Sequence, residues 1–189
     1  MAHLLPGPLC RILGALDIDA GTLCKAASPK PGPVKIGFKL SSKHYSEHFG
    51  IVSDPLSKVG TAVILNNNGS PQCATLIKKL ANAPSTGENN WKKGLGLNEI
   101  NVSTINIGTP IATGWNSNGF YPHNSTGQHS GIFAGVVKDK TEKVIGFLIV
   151  EQYSGLETII SRSVYFDPIS MKKKNTYFYR GKDYATIQW

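Results

Sequence analysis

The chain has 189 residues, 40% of them hydrophobic, and carries 20 lysines and arginines against 12 acids for a formal charge of +8. That length holds one domain with a sizeable core, and the composition excludes disorder throughout. No apolar run approaches the roughly 18 residues a membrane-spanning helix needs, so no membrane span is expected. No glycine-rich phosphate loop, zinc-ligand cysteine spacing or aromatic nucleic-acid motif accompanies the basic charge, so nucleic acid is not the expected partner. The lysines at Lys78-Lys79, Lys92-Lys93 and Lys172-Lys173-Lys174 read as solvated faces that favour anionic partners such as a cell envelope.

Residues 1–33 carry mixed helical signals and end in the breaker-rich linker Ser28-Pro29-Lys30-Pro31-Gly32-Pro33, a segment to which the sequence assigns no role. Asp17 and Asp19 interrupt its apolar beginning and a basic leader is lacking, so a Sec signal peptide is not expected. Three cysteines, Cys10, Cys24 and Cys73, cannot all pair within one chain. Either all are reduced, or Cys10 and Cys24 pair in an oxidising compartment and leave Cys73 free. Residues 34–189 read as one domain. A short helix near Ser41 to Phe49 holds His44-Tyr45-Ser46-Glu47-His48, which matches the inverted zinc-peptidase signature and provides an alternative enzyme built on His44, Glu47 and His48. Ser42 and Gly50 limit that helix to two turns, and no helix with a third ligand follows, which weakens the zinc reading.

The next element carries more chemistry. Ser70 reads as an N-cap, Pro71 as the first helical residue, and Leu76, Ile77 and Leu80 as the buried stripe of a helix running to about Ala83. Cys73 then lies in the first turn, where the positive end of the helix dipole favours thiolate over thiol. The polar turn Asn66-Asn67-Asn68-Gly69 precedes it, and its amides together with that of Cys73 are candidates for an oxyanion hole.

A polar excursion from Asn82 to Asn98 follows, then strands near Thr109 to Trp115, Ser130 to Val137, Val144 to Gln152 and Ser161 to Phe166. The tail from Thr176 to Trp189 alternates aromatic and polar residues and reads as an edge strand. A helix followed by antiparallel strands indicates an α+β fold. His129 stands where a polar loop enters an apolar strand, and Lys138-Asp139-Lys140-Thr141-Glu142-Lys143 turns that strand into the next. With the turn centred near Lys140, His129 pairs near residue 152, beside Glu151 or Gln152. Alternation puts those two on opposite faces, so only one can face the imidazole. A nucleophile, a base and a group that orients the base make the generalised triad of acyl transfer. Here the three are Cys73, His129 and Glu151, with Gln152 the alternative third residue. Trp91, Trp115, Tyr121 and Tyr153 are candidates to line a substrate cleft. His3 and His123 have no partner evident in the sequence.

The order of helix-borne cysteine, strand-borne histidine and carboxylate or amide on the next strand resembles papain-like cell-wall peptidases and amidases of the CHAP and NlpC kinds. Pro71-Gln72-Cys73-Ala74-Thr75-Leu76, Gly108-Thr109-Pro110-Ile111-Ala112-Thr113, Gly119-Phe120-Tyr121-Pro122, Gln128-His129-Ser130-Gly131-Ile132-Phe133 and Glu151-Gln152-Tyr153 succeed one another as in the group around BPSL-type proteins and type VI secretion amidase effectors. The likeness covers roughly residues 48 to 168. It implies a papain-like domain over residues 34–189, with a catalytic helix packed on an antiparallel sheet. It also implies a cofactor-free cysteine hydrolase that cleaves an amide of peptidoglycan stem peptides, with Cys73 and His129 in the catalytic roles. An antibacterial effector of this kind reaches the periplasm or wall without a Sec signal, and a cognate immunity protein that plugs its cleft is the implied partner. The contrasting reading is a non-catalytic envelope-binding module on which Cys73 is structural.

Overall fold

A computed structural model describes residues 50–124, 126–173 and 176–189. The 1–33 segment and its linker, the domain start at residue 34, the expected 41–49 helix with His44, Glu47 and His48, and Cys10, Cys24 and His3 lie outside the described residues.

The described chain is α+β: one α-helix, α1 (Cys73–Leu80), and six strands, β1 (Lys92–Gly96), β2 (Pro110–Thr113), β3 (His129–Lys138), β4 (Val144–Glu151), β5 (Ile160–Tyr165) and β6 (Ala185–Gln188). The strands form a single antiparallel sheet in the order β1-β6-β2-β3-β4-β5. Successive side chains of a strand point to opposite faces, and the core divides accordingly. Ala112, Ile132, Val150 and Ile187 pack with Leu76 and Ile77 of α1 on one face. Ile111, Phe133, Ile149 and Val164 pack with Phe147, Phe166 and Tyr184 on the other.

β2 to β5 lie within two residues of the expected strands, because each is an apolar run bounded by a polar turn. Two expectations about the ends of the sheet are corrected. The tail is not an edge strand: β6 lies between β1 and β2, and Ala185, Thr186 and Ile187 are buried. The edge on that side is β1, from the polar excursion. Its Lys-Lys-Gly-Leu-Gly sequence has no apolar alternation to betray it, and it is held through bonds such as Leu95 N–H to Thr186 Oγ1 at 2.9 Å.

The helix start is also corrected. The N-cap is Gln72, in extended conformation and without a side-chain cap, and Cys73 is the first helical residue. Ser70 cannot cap α1 because it closes the preceding turn. Its amide donates to Asn66 Oδ1 at 2.9 Å and its carbonyl accepts from the Asn66 amide at 3.0 Å. The helix stops at Leu80, earlier than Ala83, since Asn82 takes a left-handed backbone with φ of 53°, a conformation asparagine tolerates just past a C-cap.

Candidate active site

His129 is the first residue of β3 and sits across from Thr113 at the end of β2. Glycine at two points lets neighbouring chain close in, one beside the β2 and β3 ends and one between β3 and β4. Gly114 has φ of +82°, and a Cβ there would lie 2.1 Å from the Gly127 carbonyl oxygen; a Cβ on Gly131 would lie 2.6 Å from the Ile149 side chain. The β3–β4 register pairs Ile132 with Val150. Continued past the end of β4, it sets His129 across from Tyr153, with Glu151 on the same face. His129 Nε2 meets Glu151 Oε2 at 2.8 Å, and both side chains are buried. The bond leaves Nδ1 as the ring nitrogen for a second partner.

Glu151 is held from its other side by a residue the sequence analysis did not select. Arg162 lies across from Ile149 on β5, on the same face as Glu151, and its Nε donates to Glu151 Oε1 at 2.6 Å. Its Nη2 donates to the Phe178 carbonyl at 2.9 Å and to Tyr184 Oη at 3.3 Å. The guanidinium stacks on Phe178 with its carbon 3.9 Å from the ring centre, and Phe178 in turn packs on His129 with centroids 4.4 Å apart. The available sequence signal was a lone arginine inside the β5 run Ile-Ser-Arg-Ser-Val-Tyr. A charge at a half-buried strand position calls for a buried counter-charge.

Cys73 approaches from the opposite face of the sheet, at the start of α1, and is half-buried. Its Sγ lies 3.6 Å from the hydroxyl of Tyr121. Ser130, the residue after His129, is fully buried and close enough to Cys73 and Tyr121 to favour their ionised forms, yet its hydroxyl closes no hydrogen bond.

These contacts set the ionisation of the site. Burial alone pushes the Cys73 thiol up, but the hydrogen bond and charge of His129, with smaller contributions from Tyr121 and Ser130, outweigh it and bring the pKa to about 6. Burial likewise pushes the His129 imidazole down. The Glu151 charge and the bonds to Cys73 and Glu151 reverse this and raise it to about 9. Burial would raise Glu151, but His129 and Arg162 hold it below the usual carboxylate range. Between those values the favoured form of the pair is thiolate and imidazolium, an arrangement that can act chemically as a nucleophile with an acid beside it.

The other candidates separate. Gln152 is not at the imidazole. It points to the helix face, where Oε1 accepts from the Ile64 amide at 2.8 Å and Nε2 donates to the carbonyls of Ile64 and Gln72 at 2.7 and 3.0 Å. The amide thus anchors the N-cap of α1. Trp91 does not line a cleft: it is 0% exposed and its Nε1 donates to the Pro84 carbonyl at 3.1 Å. Tyr121 is buried between Trp91 and Trp115, with centroids at 5.2 and 5.9 Å, and reaches the thiol instead. Trp115 and Tyr153 keep partial exposure, Tyr153 with its ring 6.1 Å from that of His129. In the turn before α1, a candidate source of oxyanion donors, most amides are engaged within the turn itself. Its Asn68 and Ser70 amides donate to Asn66 Oδ1, and its Asn66 and Gly69 amides are bonded within the turn. His123 is exposed, with Nδ1 at 3.1 Å from Thr86 Oγ1. Among the described residues, no group of three or more His, Cys, Asp or Glu side chains is placed to hold a metal ion, and no helix is long and apolar enough to cross a membrane.

The model of the family described as domesticated amidase effector 2 matches residues 40–180, about three quarters of the chain. The chain belongs to that family. Its members are amidases, which decides for an enzyme over the non-catalytic binding module, and it falls in the type VI amidase-effector group that the motifs resembled. A solved structure described as type 6 secretion amidase effector 2 superposes with a TM-score of 0.54 at 20% identity, covering 73% of this amidase and 93% of that chain. At that identity the likeness concerns the fold, an antiparallel sheet with an accompanying helix. Among curated proteins, none matches the chain.

Proposed function

We propose that this amidase hydrolyses an amide bond in the stem peptide or cross-link of peptidoglycan through a thioester on Cys73. The observation that carries this reading is the buried chain of contacts from Arg162 through Glu151 to His129, beside a helix-start cysteine whose thiol the His129 imidazole draws down to a pKa of about 6. A structural cysteine has no need of an imidazole oriented by a buried carboxylate, whereas acyl transfer requires one.

The thiolate Sγ attacks the amide carbon, forming the S–C bond as the carbonyl electron pair moves to oxygen. Collapse expels the amine, which takes its proton from the His129 imidazolium, leaving the acyl-enzyme. His129, now neutral, removes a proton from water so that hydroxide attacks the thioester. Collapse then releases the carboxylic acid and restores the ion pair. Glu151 fixes the ring and its charge, and Arg162 positions Glu151.

The finer fold reading is papain-like, supported by the chain order of helix-borne cysteine, strand-borne histidine and carboxylate on the next strand. Residues 34–189 are assigned to the catalytic domain and residues 1–33 to a separate segment. Exposed Lys79, Lys92 and Lys93 suit approach to an anionic wall. The site of action is the periplasm or cell wall. A cell that exposes its own wall to such an enzyme needs a protein that fills the cleft, a cognate immunity partner.

The test is digestion of purified peptidoglycan by the wild-type protein and by Cys73→Ala, with released muropeptides identified by mass spectrometry. Release that disappears in the variant is the expected result and names the bond. Equal release from both proteins, or none from either across walls of different cross-link chemistry, overturns the reading.

A further inference from the structure

Attack by a thiolate turns the substrate carbonyl oxygen into an oxyanion about one bond length from the reacting carbon, and that charge needs fixed donors. The turn before α1 is poorly placed to provide them, because its Asn66, Asn68, Gly69 and Ser70 amides are already bonded within the turn. The Cys73 amide is a first-turn donor with no acceptor inside the helix, and by itself it leaves the oxyanion with one partner. A second donor stands beside the sulfur. The Tyr121 hydroxyl is 3.6 Å from Sγ, on a residue 4% exposed, wedged between two tryptophan rings and pinned by its own amide to the Trp91 carbonyl at 2.9 Å. Among the described residues, Sγ is the hydrogen-bond partner of that hydroxyl, with the Ser130 side chain nearby.

We propose that Tyr121 is a further catalytic residue, its hydroxyl donating to the thiolate at rest and to the oxyanion once the S–C bond has formed. The proposal rests on Cys73 acting as the nucleophile and adds the donor side of the site. The donation is a hydrogen bond with no proton transfer. As the electron pair leaves sulfur for the new bond and the carbonyl pair moves to oxygen, the negative charge shifts by a few ångström within reach of one rigid phenol. Burial, followed by the nearby Cys73 charge, holds the Tyr121 phenol well above its ordinary pKa, so it stays a donor wherever the thiolate exists. The tryptophan pair serves pre-organisation: a phenol that cannot rotate away loses nothing when the charge arrives.

The test compares two reactions of the same sulfur in the full chain, wild type and Tyr121→Phe, with Cys73→Ala as the blank. p-Nitrophenyl acetate acylates Cys73 through a tetrahedral oxyanion and expels p-nitrophenolate. Iodoacetamide alkylates it by direct displacement of iodide, with no oxyanion. Phenylalanine keeps the ring between the tryptophans, and a preserved alkylation rate reports that the folded site is intact. The expected result is an acylation rate about 10²-fold lower in Tyr121→Phe, persisting above pH 7 where the thiolate is formed, with alkylation far less affected. A parallel fall in both reactions would reduce Tyr121 to a support of the thiolate and overturn the proposal. An unchanged acylation rate, or a wild-type protein that p-nitrophenyl acetate does not acylate at Cys73, would overturn it as well. Because neither probe contains a wall peptide, these outcomes are independent of whether peptidoglycan is the substrate.

Discussion

The two faces of the sheet meet the site with different chemistry. On one face β3, β4 and β5 present His129, Glu151 and Arg162, charged groups linked by contacts of 2.8 and 2.6 Å and backed by Phe178 and Tyr184. On the other, α1 presents Cys73 among neutral groups: the Tyr121 hydroxyl, Ser130, and Gln152 holding the Gln72 carbonyl. The charged face sets protonation, since each ion there exists because its neighbour does. The helix face mainly sets position, since the groups around the thiolate there are neutral and make only the smaller contributions to its lowered pKa. The faces join at His129, which as the first residue of its strand stands at the sheet's end, where a group from either side can reach it.

Glu151→Gln is the sharpest break. It leaves Arg162, only 15% exposed, without its buried counter-charge, and a stability loss of about 3–5 kcal/mol is expected in urea unfolding followed by tryptophan fluorescence. The same change removes the charge that raises His129, so the pH at which Cys73 becomes alkylable should move upward. A loss under about 1 kcal/mol with an unmoved alkylation profile would show that the charged face does not control protonation.

The ion pair itself predicts a pH window. The Cys73 pKa is lowered to about 6 from 9.0, so its contribution to folding and its reactivity are lost as pH falls through 6. The His129 pKa is raised to about 9 from 6.5, so its contribution is complete below 6.5 and lost as pH rises through 9. Amide hydrolysis should therefore be bell-shaped with limbs near 6 and 9 belonging to the pair, falling about tenfold per pH unit outside them. An acidic limb at the ordinary thiol value, read from alkylation rates across pH, would deny the pairing.

Gln152→Ala should act smaller and differently. It strands the Ile64 amide and carbonyl and frees the Gln72 carbonyl of one partner, a loss of about 1–3 kcal/mol. Catalytic rate should drop as the start of α1 loosens, while the alkylation limb stays near 6 because His129 and Glu151 are untouched. If that limb moved as in Glu151→Gln, the division between the faces would fail.

Much of the site was legible because it is local. A cysteine at a helix start, a histidine at a strand mouth and a carboxylate one hairpin later follow from turn residues and period-two alternation, and the hairpin register places Glu151 on the face of His129. The sequence left Glu151 and Gln152 as alternatives, since alternation says that they face opposite ways without saying which way is inward to the imidazole. It missed Arg162, whose partner lies on another strand. It misplaced Trp91, because aromatic residues serve cores and clefts alike, and it read Ser70 as a cap because a serine before proline has the same composition whether it caps a helix or closes a turn.

What the sequence by itself determined is the chemistry carried by each element: thiol, imidazole and carboxylate in chain order, with the strand pairing that a single hairpin enforces. The tertiary structure decided what surrounds them. Packing placed β6 inside the sheet, brought Arg162 under Glu151, set the Tyr121 hydroxyl against the sulfur and assigned Gln152 to the helix. The physical reason is range. Turn chemistry and alternation act over a few residues and leave their pattern in the chain, whereas buried charges and aromatic rings are placed by partners tens of residues away, whose identity no local pattern records.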